Sequence, residues 1–341
     1  MHAVQLTATR APLELRELPT PQPGPSEVLV KVAAAGICHS DVHYWEGMSS
    51  LAPLPLTLGH EVAGVIEAVG EDIATHRPGD RVALHYLVTC GTCGYCRSSS
   101  EQFCEDAEMI GKDRAGGYAE YISIPAINAV PVPDGIPLER AAISMCSSAT
   151  VFHALRKGRV KPGESVAVFG VGGLGMSAIQ LARAFGAIDI YAVDIQAERL
   201  ETAAKLGAIP IDASSTDPVA EIAHRTIRGV DVALGLIGNT ATMQQAVRVL
   251  RPYGRAVLVG LADRPLELDG YGEILGKEAE VIGCSDHLLE ELPTVLEYIK
   301  TGLLDLGPVI TKTVPLDAKA INEVFENLRN YGPGIRTVIV P

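Results

Sequence analysis

SVAVFGVGGLGMSAIQLARAFG, residues 165–186, joins an apolar run, a glycine turn and an amphipathic run closed by Gly186. The run SVAVF predicts a buried strand, and MSAIQLARAFG predicts a helix ended by glycine. Between them Gly170, Gly172 and Gly175 stand as G-x-G-x-x-G, with Gly173 and Leu174 filling the turn. That pattern permits a tight turn, close approach of a pyrophosphate to the backbone, and close helix–strand packing. The helix N-terminus behind it offers amide donors and a positive dipole end to phosphate. A glycine triplet alone is weak evidence, so the weight falls on the hundred residues C-terminal to it.

In that stretch strands and helices alternate. DIYAVD (189–194) predicts a strand, QAERLETAAKLG (196–207) and PVAEIAHRTIRG (218–229) helices, and DVALGLI (231–237) a strand. TATMQQAVRVL (240–250) then predicts a helix and GRAVLVG (254–260) a strand, and EVIGCS (280–285) closes the series as the last of a sheet expected to hold six strands, five of which are named here. Strands alternating with helices of this length imply a doubly wound parallel sheet of the Rossmann kind. Asp194 ends the strand after the glycine turn, 19 residues beyond Gly175. A carboxylate at about that interval bonds the ribose hydroxyls of an adenine dinucleotide and repels a 2′-phosphate. NAD is therefore expected over NADP, with Arg199 placed where it could soften the preference.

The chain before residue 150 reads differently. SEVLVKVAAAG (26–36), GHEVAGVIEAVG (59–70), RPGDRVAL (77–84) and GGYAEYISI (116–124) look like short strands separated by turns. PVPDGIPLERAA (131–142) predicts a turn leading into a helix. Beyond about residue 286, ELPTVLEYIKTG (291–302) predicts a helix, followed by short strands ending in GIRTVIVP (334–341). With 341 residues, two domains are expected: 1–147 with 286–341, and 148–285. A net charge of −13 disfavours nucleic acid and anionic lipid as partners. No run approaches the roughly 20 apolar residues of a membrane span, and MHAVQLTATR lacks the signature of a secretory leader. A cytoplasmic protein with reduced thiols is the expectation.

The cysteines carry the chemistry. Cys90, Cys93, Cys96 and Cys104 form C-x2-C-x2-C-x7-C within fifteen residues. Four thiolates so spaced can surround zinc and leave no position for substrate. An iron–sulfur cluster or a redox thiol set is the competing reading. Cys38 in GICHSDVH, expected on a loop, His60 in GHE at a strand start, and Cys146 in MCSSAT are scattered. Two thiolates and one imidazole would make a three-ligand zinc site with a fourth position open to water or substrate. The sequence alone does not bring them together. Cys284 is left as a core residue.

In that order, GICHSD, GHEVAGVIEAVG, the four-cysteine lobe, MCSSAT and GVGGLG resemble the zinc-dependent medium-chain alcohol dehydrogenases, in their microbial, simple-alcohol branch. The resemblance covers essentially the whole chain. It implies a β-rich, GroES-like catalytic domain bearing a structural zinc on the lobe, joined to the NAD-binding domain, in a tetramer. It further implies catalytic zinc on Cys38, His60 and Cys146, with Asp41 orienting His60 and Glu61 close to the metal. Ser40 matches a proton-relay hydroxyl and His43 the imidazole that passes the proton to solvent, a role suited to a side chain that changes charge near neutrality. Arg336 and His39 match contacts to pyrophosphate, Thr150 a neighbour of the nicotinamide, and Tyr86 a pocket aromatic, with Trp45 a second candidate. The thiolate of Cys146 favours simple alcohols over polyols and amino alcohols, whose dehydrogenases on this scaffold tend to carry an acidic residue there. A small-molecule alcohol or carbonyl compound is the implied substrate. A binding protein that lost catalysis would need none of Ser40, His43 and the ligand trio, and a zinc-ribbon nucleic-acid binder fits the negative charge poorly.

Overall fold

The computed structural model describes residues 1–262 and 264–341. These form two compact units: Met1–Cys146 with Leu288–Thr301 and Val309–Pro341, and Ser147–His287 with Gly302–Pro308. The division expected from sequence assigned Gly302–Pro308 to the first domain. Its attachment to the second rests on a reciprocal pair of hydrogen bonds, in which Gln180 Nε2 donates to the Asp305 carbonyl at 3.0 Å and Asp305 N–H donates to Gln180 Oε1 at 2.7 Å. Among the described residues no helix is long and apolar enough to cross a membrane.

The first unit is built on a seven-stranded sheet. Its spine is the long strand Glu27–Ile37, paired antiparallel with Glu61–Val69 on one side and Arg336–Val340 on the other. Arg81–Leu84 and Ala129–Pro131 extend the sheet past Glu61–Val69, Ile310–Pro315 extends it past Arg336–Val340, and Tyr121–Pro125 pairs with the spine. Alternation of apolar and polar residues fails along the spine because both its faces are covered: Val28, Val30, Ala34, Ala35 and Ile37 are all buried. The core continues through Leu6, Leu58, Ile66, Leu84, Tyr118 and Phe325.

Two elements depart from expectation. The GICHSDVH segment is not a loop: His39–Glu46 is a helix, entered through Cys38, whose N–H donates to Asp41 Oδ2 at 2.9 Å. Asp41 thereby satisfies an amide at the helix start that would otherwise lack a partner. A second helix, Ala318–Arg329, interrupts the terminal strands. Its buried Ile321, Val324 and Phe325 recur at helical spacing, and Asp317 caps it by accepting from Ala320 N–H at 2.9 Å.

The second unit is a parallel six-stranded sheet in the spatial order Ile209–Asp212, Asp189–Asp194, Ser165–Phe169, Val230–Gly235, Leu250–Leu258, Glu280–Gly283. Ile209–Asp212 completes the six. It is four residues long, holds Pro210 and lies on the sheet edge, which is where a strand proline is tolerated. Helices Gly173–Ala184, Ala197–Lys205, Pro218–Thr226 and Thr240–Arg248 connect the strands. Phe169, Val193, Ile222, Ala233 and Val247 pack between sheet and helices. Cys284 is half-buried rather than a core residue. It stands just past the last strand, where its thiol lies 4.0 Å from the Thr150 carbonyl.

His85, just after strand Arg81–Leu84, is 1% exposed, and burial pushes its imidazole from 6.5 down to about 4. Because the folded chain resists the proton, His85 contributes stability above pH 6.5 that is lost as pH falls towards about 4. The loss is on the order of 3 kcal/mol when complete. Urea midpoints measured between pH 7 and pH 5 should therefore fall less steeply for His85→Gln than for the parent.

Candidate metal and nucleotide sites

Sheet register assembles the first site. The spine pairs Gly36 with Glu61 and Ile37 with Thr337, so Cys38, His60 and Arg336 all sit one residue beyond those pairs at one end of the sheet. The helix Leu138–Ile143 packs against the spine and against Glu61–Val69, and its π-helical continuation Ser144–Ser148 carries Cys146 to the same place. Donor atoms of Cys38, His60, Glu61 and Cys146 all lie within 4.8 Å of one another. Cys38, His60 and Glu61 are buried, and Cys146 is half-buried.

The polar groups there are satisfied on one side and open on the other. Asp41 Oδ1 faces His60 Nδ1 at 3.1 Å, both side chains being wholly enclosed. His60 Nε2 is buried and has no hydrogen-bond partner among the described residues. Such a nitrogen costs on the order of 1–3 kcal/mol unless something meets it. Two reduced cysteines beside it, with the opposite ring nitrogen fixed by a carboxylate, make a donor set suited to zinc. The residues present therefore fit a three-ligand metal site, with Glu61 within reach as a fourth donor.

Electrostatics are tightly coupled. A hydrogen bond from Cys146 lowers the Cys38 thiol well below its ordinary value against the opposing effect of burial, and His60 adds to the lowering. The same bond, with burial, pushes Cys146 well up. One thiol thus holds its proton for the other until a cation displaces it, and metal binding should release protons. Burial pulls the His60 imidazole down, but Asp41 and Cys38 together more than offset it and hold it well above its ordinary value. Burial lifts Glu61 to about 7, although Arg336 pulls the other way. The Arg336–Glu61 ion pair is itself buried, at 5% and 0% side-chain exposure.

The lobe is a second, separate donor set. The short ribbon of Leu87–Val88 and Glu108–Met109 closes its base. Cys93–Cys96, Cys90–Cys104 and Cys90–Cys96 sulfurs are 3.5, 3.6 and 3.9 Å apart. Four sulfurs around one zinc at ~2.3 Å stand about 3.8 Å from each other. An iron–sulfur cluster would interpose its own iron and sulfide atoms and hold the thiolates further apart, so a single ion fits this lobe. Backbone and hydroxyl donation from Thr92 lowers Cys90 to about 6, while burial and the neighbouring thiols lift Cys96 to about 12.

In the second unit, strand Ser165–Phe169 runs into Gly170, and the helix starting at Gly173 comes next. A Cβ on Gly175 would stand 2.1 Å from the Gly170 carbonyl oxygen, so this turn closes only on glycine. Asp194 Oδ2 accepts from Val171 N–H at 2.9 Å, and Oδ1 accepts from Ile195 and Gln196 N–H at 2.8 and 3.0 Å. The carboxylate is thereby locked beside the glycine turn. Arg199 lies on helix Ala197–Lys205, and Thr150 is buried at the start of helix Ala149–Lys157.

The remaining candidates divide. Ser40 Oγ lies 3.8 Å from Cys38 Sγ, and His43 is one helical turn further along. The His39 ring lies 5.0 Å from His43 and stacks on Tyr331 at 5.5 Å. Tyr86 presents its ring edgewise to His60 at 5.3 Å. Trp45 does not join this group: it packs on Phe325 and donates to the Ala11 carbonyl at 2.6 Å. Tyr118, whose hydroxyl bonds Asp41, has no sequence signal that distinguishes it from other tyrosines in strand-like text.

Comparison with known proteins accords with this geometry. Residues 24–134 match the alcohol dehydrogenase GroES-like domain, and residues 173–301 match the zinc-binding dehydrogenase domain. An NAD-dependent alcohol dehydrogenase of Sulfurisphaera tokodaii is 34% identical over 362 aligned positions, covering 100% of both chains. The chain belongs to the zinc-dependent medium-chain alcohol dehydrogenase family. Sorbitol dehydrogenase of Bacillus subtilis is 33% identical over 93% of this chain and 91% of its own. The solved structure of an alcohol dehydrogenase from Thermus sp. ATN1 superposes with a TM-score of 0.92 at 32% identity, covering 100% of this chain and 99% of that one.

Removing one member of a buried ion pair strands the other charge, which typically costs about 3–5 kcal/mol. Glu61→Leu and Arg336→Leu should each lose stability on that scale in chemical denaturation. The double variant should lose markedly less than the two single losses added together.

Proposed function

We propose that this chain is an NAD-dependent zinc alcohol dehydrogenase, interconverting a primary or secondary alcohol with its aldehyde or ketone. The observation that carries the reading is the enclosed Cys38–His60–Cys146 set with an unpartnered imidazole nitrogen. Two zinc ions per chain are proposed, one held by that trio and one by Cys90, Cys93, Cys96 and Cys104. When bound, the first supplies Lewis acidity that makes an alcohol proton easier to remove, whereas the second is structural. The nicotinamide, when bound, supplies the hydride acceptor.

The chain's own residues do the rest. Asp41 holds His60 in the tautomer that leaves Nε2 as a donor of electrons. Ser40 accepts the substrate proton as its own hydroxyl proton moves on towards His43, on the same helix face, which releases one to solvent. The amides of Gly172–Gly175 cradle the pyrophosphate, with Gly170 forming the turn, and Asp194 accepts from the adenosine ribose. Arg336, whose Nε has no partner among the described residues, and His39 contribute positive or neutral donors to the same pyrophosphate. Thr150 lies beside the nicotinamide in this reading, and Glu61 balances Arg336 when the cofactor leaves. A carboxylate at 194 favours NAD over NADP, and Arg199 sets how strictly.

Oxidation of polyols or amino alcohols is the second reading, supported by the 33% identity to a sorbitol dehydrogenase. Cys146, a sulfur ligand rather than a carboxylate, and the Tyr86 ring beside His60 favour small, simple alcohols. Location in the cytoplasm and assembly as a homotetramer belong to the same proposal.

Metal analysis should give two zinc ions per chain, and NAD reduction should be faster with simple alcohols than with polyols. Equal or faster turnover of sorbitol would favour the second reading, and a single zinc with full activity would contradict the ligand assignments. His43→Gln should lower kcat/KM at least ten-fold near pH 7, with the deficit shrinking at high pH where hydroxide removes the proton. Full activity of that variant from pH 6 to 8 would remove His43 from the relay.

A further inference from the structure

Behind the Asp41–His60 pair stands a third buried polar group. The Tyr118 side chain is 0% exposed, and its hydroxyl donates to Asp41 Oδ2 at 2.8 Å. The same oxygen accepts from Cys38 N–H at 2.9 Å, while Oδ1 is left for the imidazole. Asp41 is thus a fully enclosed carboxylate held by three donors, two on one oxygen and one on the other. Burial, with the neighbouring Asp41 charge, raises the Tyr118 phenol well above its ordinary value, so it remains a donor throughout the working range.

Packing fixes that hydroxyl as firmly as hydrogen bonding does. Gly59, immediately before His60, has φ +94°, and a Cβ built on it would lie 2.3 Å from Tyr118 Cδ1. The ring therefore lies directly on the backbone that delivers His60, and only glycine leaves room for it. On its other side Tyr118 meets Phe325 edge to face at 6.3 Å. Backbone bonds complete the clamp: Tyr118 N–H donates to the Leu58 carbonyl at 3.0 Å, and Gly117 N–H donates to the Gly59 carbonyl at 2.8 Å.

We propose that Tyr118 is a positioning residue for the metal centre, acting through Asp41 to fix the orientation and electron-donating strength of His60. The inference rests on reading Cys38, His60 and Cys146 as a zinc site. A phenol on Oδ2 restricts the carboxylate's rotation and so holds Oδ1 on the imidazole nitrogen. It also draws off part of the carboxylate charge, which sets how strongly Asp41 polarises the imidazole. Partners of this outer kind typically change metal affinity or activity 10–100-fold when removed.

Tyr118→Phe keeps the ring over Gly59 and removes only the hydroxyl. Zinc release to a chelator, monitored in the full chain, should show two phases, one for each site. In the variant the phase belonging to the Cys38–His60–Cys146 site should speed up at least ten-fold. The four-cysteine phase should stay at the parent rate, which a general loss of stability would not spare. Cobalt substituted for zinc should report a shifted ligand-field spectrum in the variant. In an Asp41→Asn background, Tyr118→Phe should add little further change, because the hydroxyl acts through that carboxylate. Parent-like release and an unchanged cobalt spectrum in Tyr118→Phe would overturn the proposal, as would a full additive effect in the Asp41→Asn background. Should the parent bind zinc only at the four-cysteine lobe, the reading of the site fails and this proposal with it.

Discussion

Enclosing an ion pair of carboxylate and imidazole away from water is the constraint around which the first unit is organised. A carboxylate so placed is tolerated only if donors surround it, and Asp41 has three. One comes from its own helix start, one from the loop before strand Glu61–Val69, and one from Tyr118. Satisfying Asp41 therefore ties together three segments far apart in sequence. The helix His39–Glu46 forms where it does because that same carboxylate caps it. Fold and ligand geometry are here the work of a single side chain.

Around that anchor the charges are arranged to need a cation. Cys38 favours its thiolate, Glu61 sits near the middle of its titration, and Arg336 is the one permanent positive group facing them among the described residues. Arg336 is bonded to Glu61 rather than to the sulfurs. A divalent ion among the two cysteines and the open imidazole nitrogen would neutralise what Arg336 leaves unbalanced. The lobe solves a different problem. Three of its four cysteines are partly exposed, and they stand in a short loop with a two-stranded base, too small to hold a shape by apolar burial alone.

The second unit shows economy of another sort. Asp194 ties three backbone amides around the glycine turn, so the residue proposed to read the ribose also shapes the loop proposed to receive phosphate. Its two oxygens retain further lone pairs for hydroxyl donors.

Much of this was legible in the linear text. The G-x-G-x-x-G turn between a strand and a helix, Asp194 at its interval, and the C-x2-C-x2-C-x7-C lobe are local patterns whose geometry is decided within a few tens of residues. Helix Ala318–Arg329 was hidden because its three apolar anchors lie among polar and charged residues and it is flanked by strands. Strand Ile209–Asp212 was hidden by its length and its proline. Trp45 read as a pocket candidate because nearness in sequence to Cys38 says nothing of which way a helix turns its face. Residue types and spacing by themselves determined the doubly wound nucleotide fold and the lobe, and the resemblance to a family singled out Cys38, His60 and Cys146 as candidate ligands. Only the tertiary structure decided that Cys38, His60 and Cys146 converge, that Arg336 pairs with Glu61, and that Tyr118 stands behind Asp41. Those meetings depend on strand register and on the docking of one helix, which are set by packing over the whole sheet.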